Sequence, residues 1–270
     1  MKFKNHNADE RVKLLLIGDS GSGKTTLLAS LANQDYNVRI LDFDNGLDPL
    51  WDPNFGLTPD GVERTSHITL VDGAIGIDKK PTLGLMRATD ILYKGWKDED
   101  EDLGIPASWG SDDVLVIDSL TLLSDSAKKM ALAAQGRKVD EALAQKDWYE
   151  AQRRVSNFIT YITSSALKCN VVVTAHMYFI EEEGKAARAY PASAGRGLST
   201  TIARYFNNVF RIDCSIVGSE VKRSVRTISD YRADLKNSAP SVIKPSEPMD
   251  LASIFNRIKE NAKKQKVNNE

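Results

Sequence analysis

Cysteine is nearly missing from this chain. Cys169 and Cys214 are the only two in 270 residues, and neither has a second Cys or a His at metal-ligand spacing. That scarcity excludes a disulfide framework and argues against a zinc site, and two thiols in apolar stretches suit a reducing compartment. No run approaches the roughly 18 apolar residues of a membrane span, and the opening MKFKNHNADERVK lacks the apolar core of a signal peptide. A cytoplasmic protein without a membrane partner is expected. Nor does either charge dominate: 36 Lys and Arg against 37 Asp and Glu leave a net charge of −1. No global positive field therefore points to nucleic acid, and any such surface must be local. What is present, 41 % apolar and 27 % charged residues, is ordinary for a soluble globular chain able to bury a sizeable core.

Short apolar runs ending in glycine or acidic residues organise the chain. RVKLLLIG, YNVRILDFD, DDVLVIDSL and CNVVVTAH each read as a strand buried on both faces of a parallel sheet. Lys24 to Asn33 reads as a helix, as does PTLGLMRATDILYKGW with Pro81 in its first turn. Two further apolar stripes at helical spacing run from Leu120 to Ala134 and from Trp148 to Ala166, and both are core faces. KDEDEDLG reads as a solvated loop. Residues 178–198 show no clear periodicity and read as a long loop. Period-two alternation in NVFRIDCSI, followed by VGSE and EVKRSVRTI, predicts an appended hairpin. SAPSVIKPSEP then leads to a last helix, roughly Met249 to Lys259, and a frayed tail, KKQKVNNE.

The chemistry begins in LLLIGDSGSGKTTLL. Gly18, Asp19, Ser20, Gly21, Ser22, Gly23, Lys24 and Thr25 satisfy G-x-x-x-x-G-K-[ST] in full, with Thr26 next, between a buried strand and a helix. Successive backbone N–H groups and the helix N-terminus can surround phosphate oxygens, Lys24 can reach the β- and γ-phosphates, and the Thr25 hydroxyl can bind Mg²⁺. Asp118, at the tip of VLVID, is placed to hold Mg²⁺, with Ser119 in support. Asp42 and Asp44 end a neighbouring strand and point to the same side, and Asp44 lies further out. Asp44 is the candidate base for a water in line with the γ-phosphate, the other reading being an Asx-type turn before Gly46. His176, at another strand end, is either a γ-phosphate sensor or a satisfied structural residue.

GDSGSGKT, LDFDNGLDP, VLVIDSLT, NVVVTAH and GRGLSTTIARYFNNVFRI, in that order, resemble the RecA-like P-loop ATPases. In particular they resemble the compact phage-encoded ATPases of the Sak-four type, AAA-type ATP-binding proteins active in single-strand annealing or recombination. The resemblance covers approximately residues 12–240. It implies an α/β fold, a mostly parallel central sheet flanked by helices with a C-terminal antiparallel hairpin. Residues 1–245 would form a single RecA-like ATPase domain, and residues 246–270 a C-terminal helix and flexible tail. It also implies ATP and Mg²⁺ as cofactors, with Lys24, Asp44, Asp118 and His176 as the catalytic set. The family position of Asp44 usually carries glutamate, and a carboxylate one methylene shorter implies slow hydrolysis.

Family members complete the site between subunits. YRADLKNSAP makes Lys236 a candidate acting in trans; Ser238 stands where an arginine would be, with Arg204 and Arg196 as possible substitutes. The resemblance also implies that DNA contacts would fall on residues 131–146, with Arg137, Lys138 and Lys146, and on residues 178–198, with Lys185, Arg188, Tyr190 and Arg196. The cations would meet phosphates while Tyr178 or Tyr190 stacks on an unpaired base, and the acidic run at 181–183 opposes phosphate. For either loop an ordinary solvated surface is the competing reading. The expected function is a Mg²⁺-dependent ATPase that self-associates into a ring or filament and binds single-stranded DNA, with a single-strand-binding or replication protein as a further partner. Alternatives are a nucleotide-controlled assembly factor, helicase loader or switch with little turnover, and a small-molecule kinase.

Overall fold

The computed structural model describes residues 10–72, 83–97, 101–181, 184 and 186–267. The chain opens with β1 (Lys13–Ile17), α1 (Lys24–Ala32) and β2 (Asn37–Asp42), then α2 (Pro59–Glu63), β3 (Thr65–Thr69) and α3 (Gly84–Lys94). A small ladder of β4 (Trp96–Lys97) and β5 (Asp102–Gly104) precedes β6 (Asp113–Asp118), α4 (Leu120–Ala133), α5 (Gln145–Thr163) and β7 (Asn170–Ala175). There follow β8 (Met177–Ile180), β9 (Arg188–Pro191), α6 (Arg196–Ser199), β10 (Asn208–Val217), β11 (Glu220–Arg226), β12 (Ser246–Glu247) and α7 (Leu251–Val267).

Eight of these strands form one sheet in the order β12-β11-β10-β1-β7-β6-β2-β3. The six from β10 to β3 are parallel, and β11 and β12 close the sheet antiparallel. The apolar runs are continuous because both faces are covered. Leu15 and Ile17 of β1 pack with α3, α4 and α5 residues, whereas Leu14 and Leu16 pack with Leu27, Leu28 and Leu31 of α1 and Ile254, Phe255 and Ile258 of α7. Alternate residues of one strand thus feed two cores. This is the mostly parallel, helix-flanked α/β architecture with a C-terminal hairpin that the resemblance implied.

Several local expectations need correction. Residues 178–198 are not an aperiodic loop: β8 and β9 pair antiparallel with Tyr178 opposite Tyr190 and Phe179 opposite Ala189. Each strand has only four residues, too few for alternation to show in the sequence. KDEDEDLG is likewise not simply a loop, since Lys97 pairs with Asp102 beside Trp96, a fully buried side chain. Strand β3 escaped the sequence reading because it is an edge strand with a half-wet face. Pro81 lies outside the described residues, and α3 begins at Gly84, where a Cβ would stand 2.0 Å from the Leu70 carbonyl oxygen. The last helix starts two residues later than expected and continues to Val267, so most of the supposed frayed tail is helical.

One charged network ties the β10–β11 hairpin to the turn that follows it. Arg211, buried on β10, donates to Asp213 at 2.7 Å and to both oxygens of Asp230 at 3.1 and 2.6 Å. Arg226 of β11 donates to Asp213 at 2.5 Å. The Arg211 guanidinium, aided by the backbone N–H groups of Ala233 and Arg232, lowers the Asp230 carboxyl from its ordinary 3.8 to about 2. A depressed carboxyl pKa contributes stability that is present above the unfolded value and is lost as pH falls through the folded one. Asp230→Asn is therefore expected to lower the urea midpoint at neutral pH and to flatten the loss of stability between about pH 4 and pH 2. Unfolding curves at a series of pH values, variant against wild type, check this.

Candidate functional site

The carboxyl ends of β1, β7, β6 and β2 meet along one edge of the sheet, where ligands of open α/β folds gather. Residues 18–23 leave β1 there and turn into α1. Gly21 and Gly23 hold φ of +72° and +100°, a region L side chains avoid. At Gly18 a Cβ would come within 2.5 Å of Ser22 Oγ. Gly21 and Gly23 are thus required by the turn itself. The Ser22 hydroxyl is 3 % exposed and, among the described residues, meets no hydrogen-bond partner. A buried donor left unmatched inside a loop of backbone N–H groups at a helix N-terminus is chemistry that suits an anion.

Lys24, on the first turn of α1, is buried and donates to the carbonyls of Gly18 at 3.0 Å and Asp19 at 2.9 Å. Burial lowers its pKa, opposed by Asp118, Asp44 and Asp19. Its ammonium lies 3.4 Å from Nδ1 of His176, whose other ring nitrogen is Nε2. That Nε2 faces Asp44 Oδ2 at 3.6 Å. The other oxygen, Asp44 Oδ1, accepts from Ser119 N at 2.9 Å and Ser119 Oγ at 2.8 Å. Burial pushes the Asp44 carboxyl up, but His176 and the Ser119 donors outweigh it and hold the pKa below the ordinary value. Asp44 is accordingly an ionised carboxylate, with Oδ2 directed toward His176.

Asp118 is the most buried acid of the group. Its Oδ2 accepts from Thr25 Oγ1 at 2.9 Å, and its Oδ1 accepts from Thr174 Oγ1. Burial raises its pKa, with the two hydroxyls acting in the opposite sense. The Asp118–Ser119 peptide is cis. Thr25 and Asp118 are hard oxygen donors side by side, and they fit Mg²⁺. No group of three or more His, Cys, Asp or Glu that could hold a metal alone occurs among the described residues, so phosphate and water would complete the ion's shell. Thr25 and Asp118 would hold the ion, whose chemistry there would be to offset negative charge on the phosphate.

Lys24, Thr25, Asp44, Asp118 and His176 thus share one network, with Gly18 to Gly23 as its floor and Thr26 next on α1. Ser119, Thr121 and Thr174 complete it. Thr121 Oγ1 accepts the backbone N–H of His176 at 3.1 Å. Thr174 carried a signal, being the one hydroxyl in the interior of a strand that is otherwise Asn, Val and Ala.

The remaining sequence candidates stand apart from this network. Lys236 donates to the Phe206 carbonyl at 2.8 Å and pairs through its backbone with Val209, beside the second residue of β10. Arg204 is exposed and lies over its neighbour Tyr205, and Arg196 is exposed at the start of α6. Arg137 is held within its own loop by Asp147, Glu141 and the Ala142 carbonyl, because Asp147 is fully buried and needs a cation. Arg188 pairs with Asp234. Lys138 and Lys146 are exposed and Tyr190 is half-buried, while Lys185 lies outside the described residues.

The family model described as AAA domain matches residues 10–238. The chain belongs to the AAA domain family. As an AAA-domain protein it is a P-loop ATPase. Solved structures similar to it include the flagellar accessory protein FlaH of Methanocaldococcus jannaschii, with 13 % identity over 88 % of this chain and 87 % of that one, at a TM-score of 0.44. A prototypical ATPase from the type III secretion system of pathogenic bacteria shares 13 % identity over 75 % of this chain and 52 % of its own, at 0.44. A KaiC-like protein of Pyrococcus horikoshii OT3 shares 14 % over 83 % and 81 %, at 0.41. No curated protein sequence matches the chain significantly.

For this AAA domain the candidacy of Asp44 as the base is tested by Asp44→Asn, which keeps both contacts to Ser119 possible and removes the charge. Turnover of ATP is expected to fall at least about 100-fold, the usual scale for a lost general base, with ATP affinity little changed. Steady-state hydrolysis and equilibrium nucleotide titration measure the two.

Proposed function

We propose that this protein is a Mg²⁺-dependent ATPase that self-associates and binds single-stranded DNA, with hydrolysis governing annealing or recombination. The observation that carries the reading is the position of His176, between the phosphate-binding lysine and the base candidate on one side and the β8–β9 hairpin on the other. Its side chain joins Lys24 and Asp44. Its carbonyl accepts from Ala192 N at 2.8 Å, just beyond β9, and β8 begins at the next residue. Loss of a γ-phosphate at Lys24 would alter the ring's contacts, and the hairpin is the first element to respond.

The hairpin has the chemistry of a single-strand surface. Tyr178 and Phe179 are 46 % and 48 % exposed, and Tyr178 stands opposite Tyr190, so aromatic faces are available for unpaired bases. Gly195, beyond β9, packs on Trp148 and Gln152 of α5. Exposed Arg196 next to it, with Lys138 and Lys146 at the neighbouring α4–α5 turn, supports phosphate contact. Self-association is the reading under which Lys236, Arg204 or Arg196 acts on a neighbour's nucleotide. The switch or loader reading draws on Asp44, whose Oδ1 is fully engaged by Ser119, an arrangement compatible with slow turnover.

ATP hydrolysis measured with single-stranded DNA, with double-stranded DNA and without DNA, using Lys24→Ala as the blank, separates these readings. Stimulation by single strands is expected; equal turnover in all three would sink the DNA reading, and nucleotide-dependent assembly without turnover would favour the switch. Tyr178→Ala is expected to weaken single-strand binding by about 1–3 kcal/mol, the scale of one stacked base, as read by fluorescence anisotropy at fixed salt.

A further inference from the structure

The strand order fixes the direction in which a nucleotide lies. Asp44, Asp118 and His176 follow or end β2, β6 and β7, all on one side of β1, while β10 and β11 lie on the other. A triphosphate whose γ end meets those three residues must send its α-phosphate and nucleoside across the first turn of α1 toward β10 and β11. Two side chains wait there. A Cβ placed on Gly23 would lie 3.4 Å from Arg223 Cδ, 3.5 Å from Arg223 Nε and 3.5 Å from Met249 Cε. Arg223 of β11 and Met249, just before α7, therefore lie together on the Cβ side of Gly23, at the point where α1 begins.

Charge makes Arg223 unusual. The arginines nearest it on the hairpin are neutralised, Arg211 by Asp213 and Asp230 and Arg226 by Asp213. Arg223 is exposed and, among the described residues, its side chain has neither an ion pair nor a hydrogen bond. It nevertheless packs beside the positive end of a helix dipole and one residue from the buried Lys24. Gathering like charges in this way is unfavourable until an anion joins them, and a guanidinium is suited to gripping phosphate oxygens in pairs. The unmatched Ser22 hydroxyl in the same loop also calls for an acceptor.

We infer that Arg223, with Met249 beside it, forms the subsite for the α-phosphate and nucleoside of the bound nucleotide. The inference rests on the nucleotide site described above and assigns its other end. It also gives the β10–β11 ribbon a task. The ribbon's outer part, from Cys214 to Arg223, is exposed, and an arginine anchored on bound nucleotide would fix it to the phosphate loop whichever nucleotide is present.

The test is titration of full-length wild type, Arg223→Ala, Arg223→Lys and Met249→Ala with MgATP and MgADP, together with thermal melting without nucleotide. Arg223→Ala is expected to weaken ATP and ADP equally, by about tenfold, because both share the α-phosphate. Arg223→Lys is expected to lose less, Met249→Ala to weaken both ligands modestly, and melting of the free protein to be unchanged. Amide exchange of residues 214–223 should slow with MgADP in wild type and not in Arg223→Ala. Unchanged affinities in Arg223→Ala overturn the assignment. Loss for ATP alone overturns it too, by moving the residue to the γ end, and so does a fall in melting temperature that accounts for the weaker binding. A wild type that binds neither nucleotide would instead overturn the phosphate-loop reading on which it rests.

Discussion

A carboxylate buried among strands must have both oxygens satisfied, and in this protein that demand falls on Asp118. One oxygen takes the hydroxyl of Thr25 from the first turn of α1, and the other takes Thr174 from inside β7. Three elements distant in sequence are thereby brought to one atom group, and the rest of the site follows from their meeting. With β6 held against β7, β2 pairs on its far side, and the Asp118 carbonyl receives the N–H of Phe43 at 2.6 Å. That contact delivers Asp44 to Ser119. Where solvent cannot compensate a lost donor, removing any one partner leaves a charge unmatched, so the geometry is maintained by the cost of its alternatives.

Much of this was legible in the amino-acid order because a strand covered on both faces writes an unbroken apolar run. β1, β2, β6 and β7 all announce themselves in this way, and the residue that interrupts each run is the one brought to the sheet's edge. Gly18, Asp118 and His176 were found by that rule, and Asp44 by lying two residues beyond the Asp42 that ends its run. The rule fails where a strand is short or half-covered. β3 has a wet face, β8 and β9 have four residues each, and β4 has two. Contacts that depend on which strands are neighbours were also beyond reach: Thr174 joins Asp118 only because β7 lies next to β6. Arg137 shows the opposite error. Its charge suggested an outward role, yet Asp147, ten positions on, is wholly buried and claims it.

The two antiparallel additions to the parallel core differ in how they are anchored. The β10–β11 hairpin continues the main sheet and carries its own charged lock in Arg211, Arg226, Asp213 and Asp230. The β8–β9 hairpin is a separate ladder that starts one residue after the ring joining Lys24 to Asp44. A cleft of about 610 Å³ lies between them, with Asp19 and Ser22 among its lining residues. The two walls are joined to each other, since Ala189 N donates to the Arg232 carbonyl at 2.6 Å and Arg188 pairs with Asp234, just beyond the Asp230 lock.

The lone hydroxyl of Ser22 has a meaning beyond recognition. Among the described residues most buried polar atoms reach a partner within the chain itself, but at this loop folding stops one bond short of self-sufficiency. A guest that supplies the missing acceptor adds its binding free energy to that of the folded state, in proportion to the logarithm of its concentration over its dissociation constant. The nucleotide level of its surroundings is then part of what determines how long the protein stays folded.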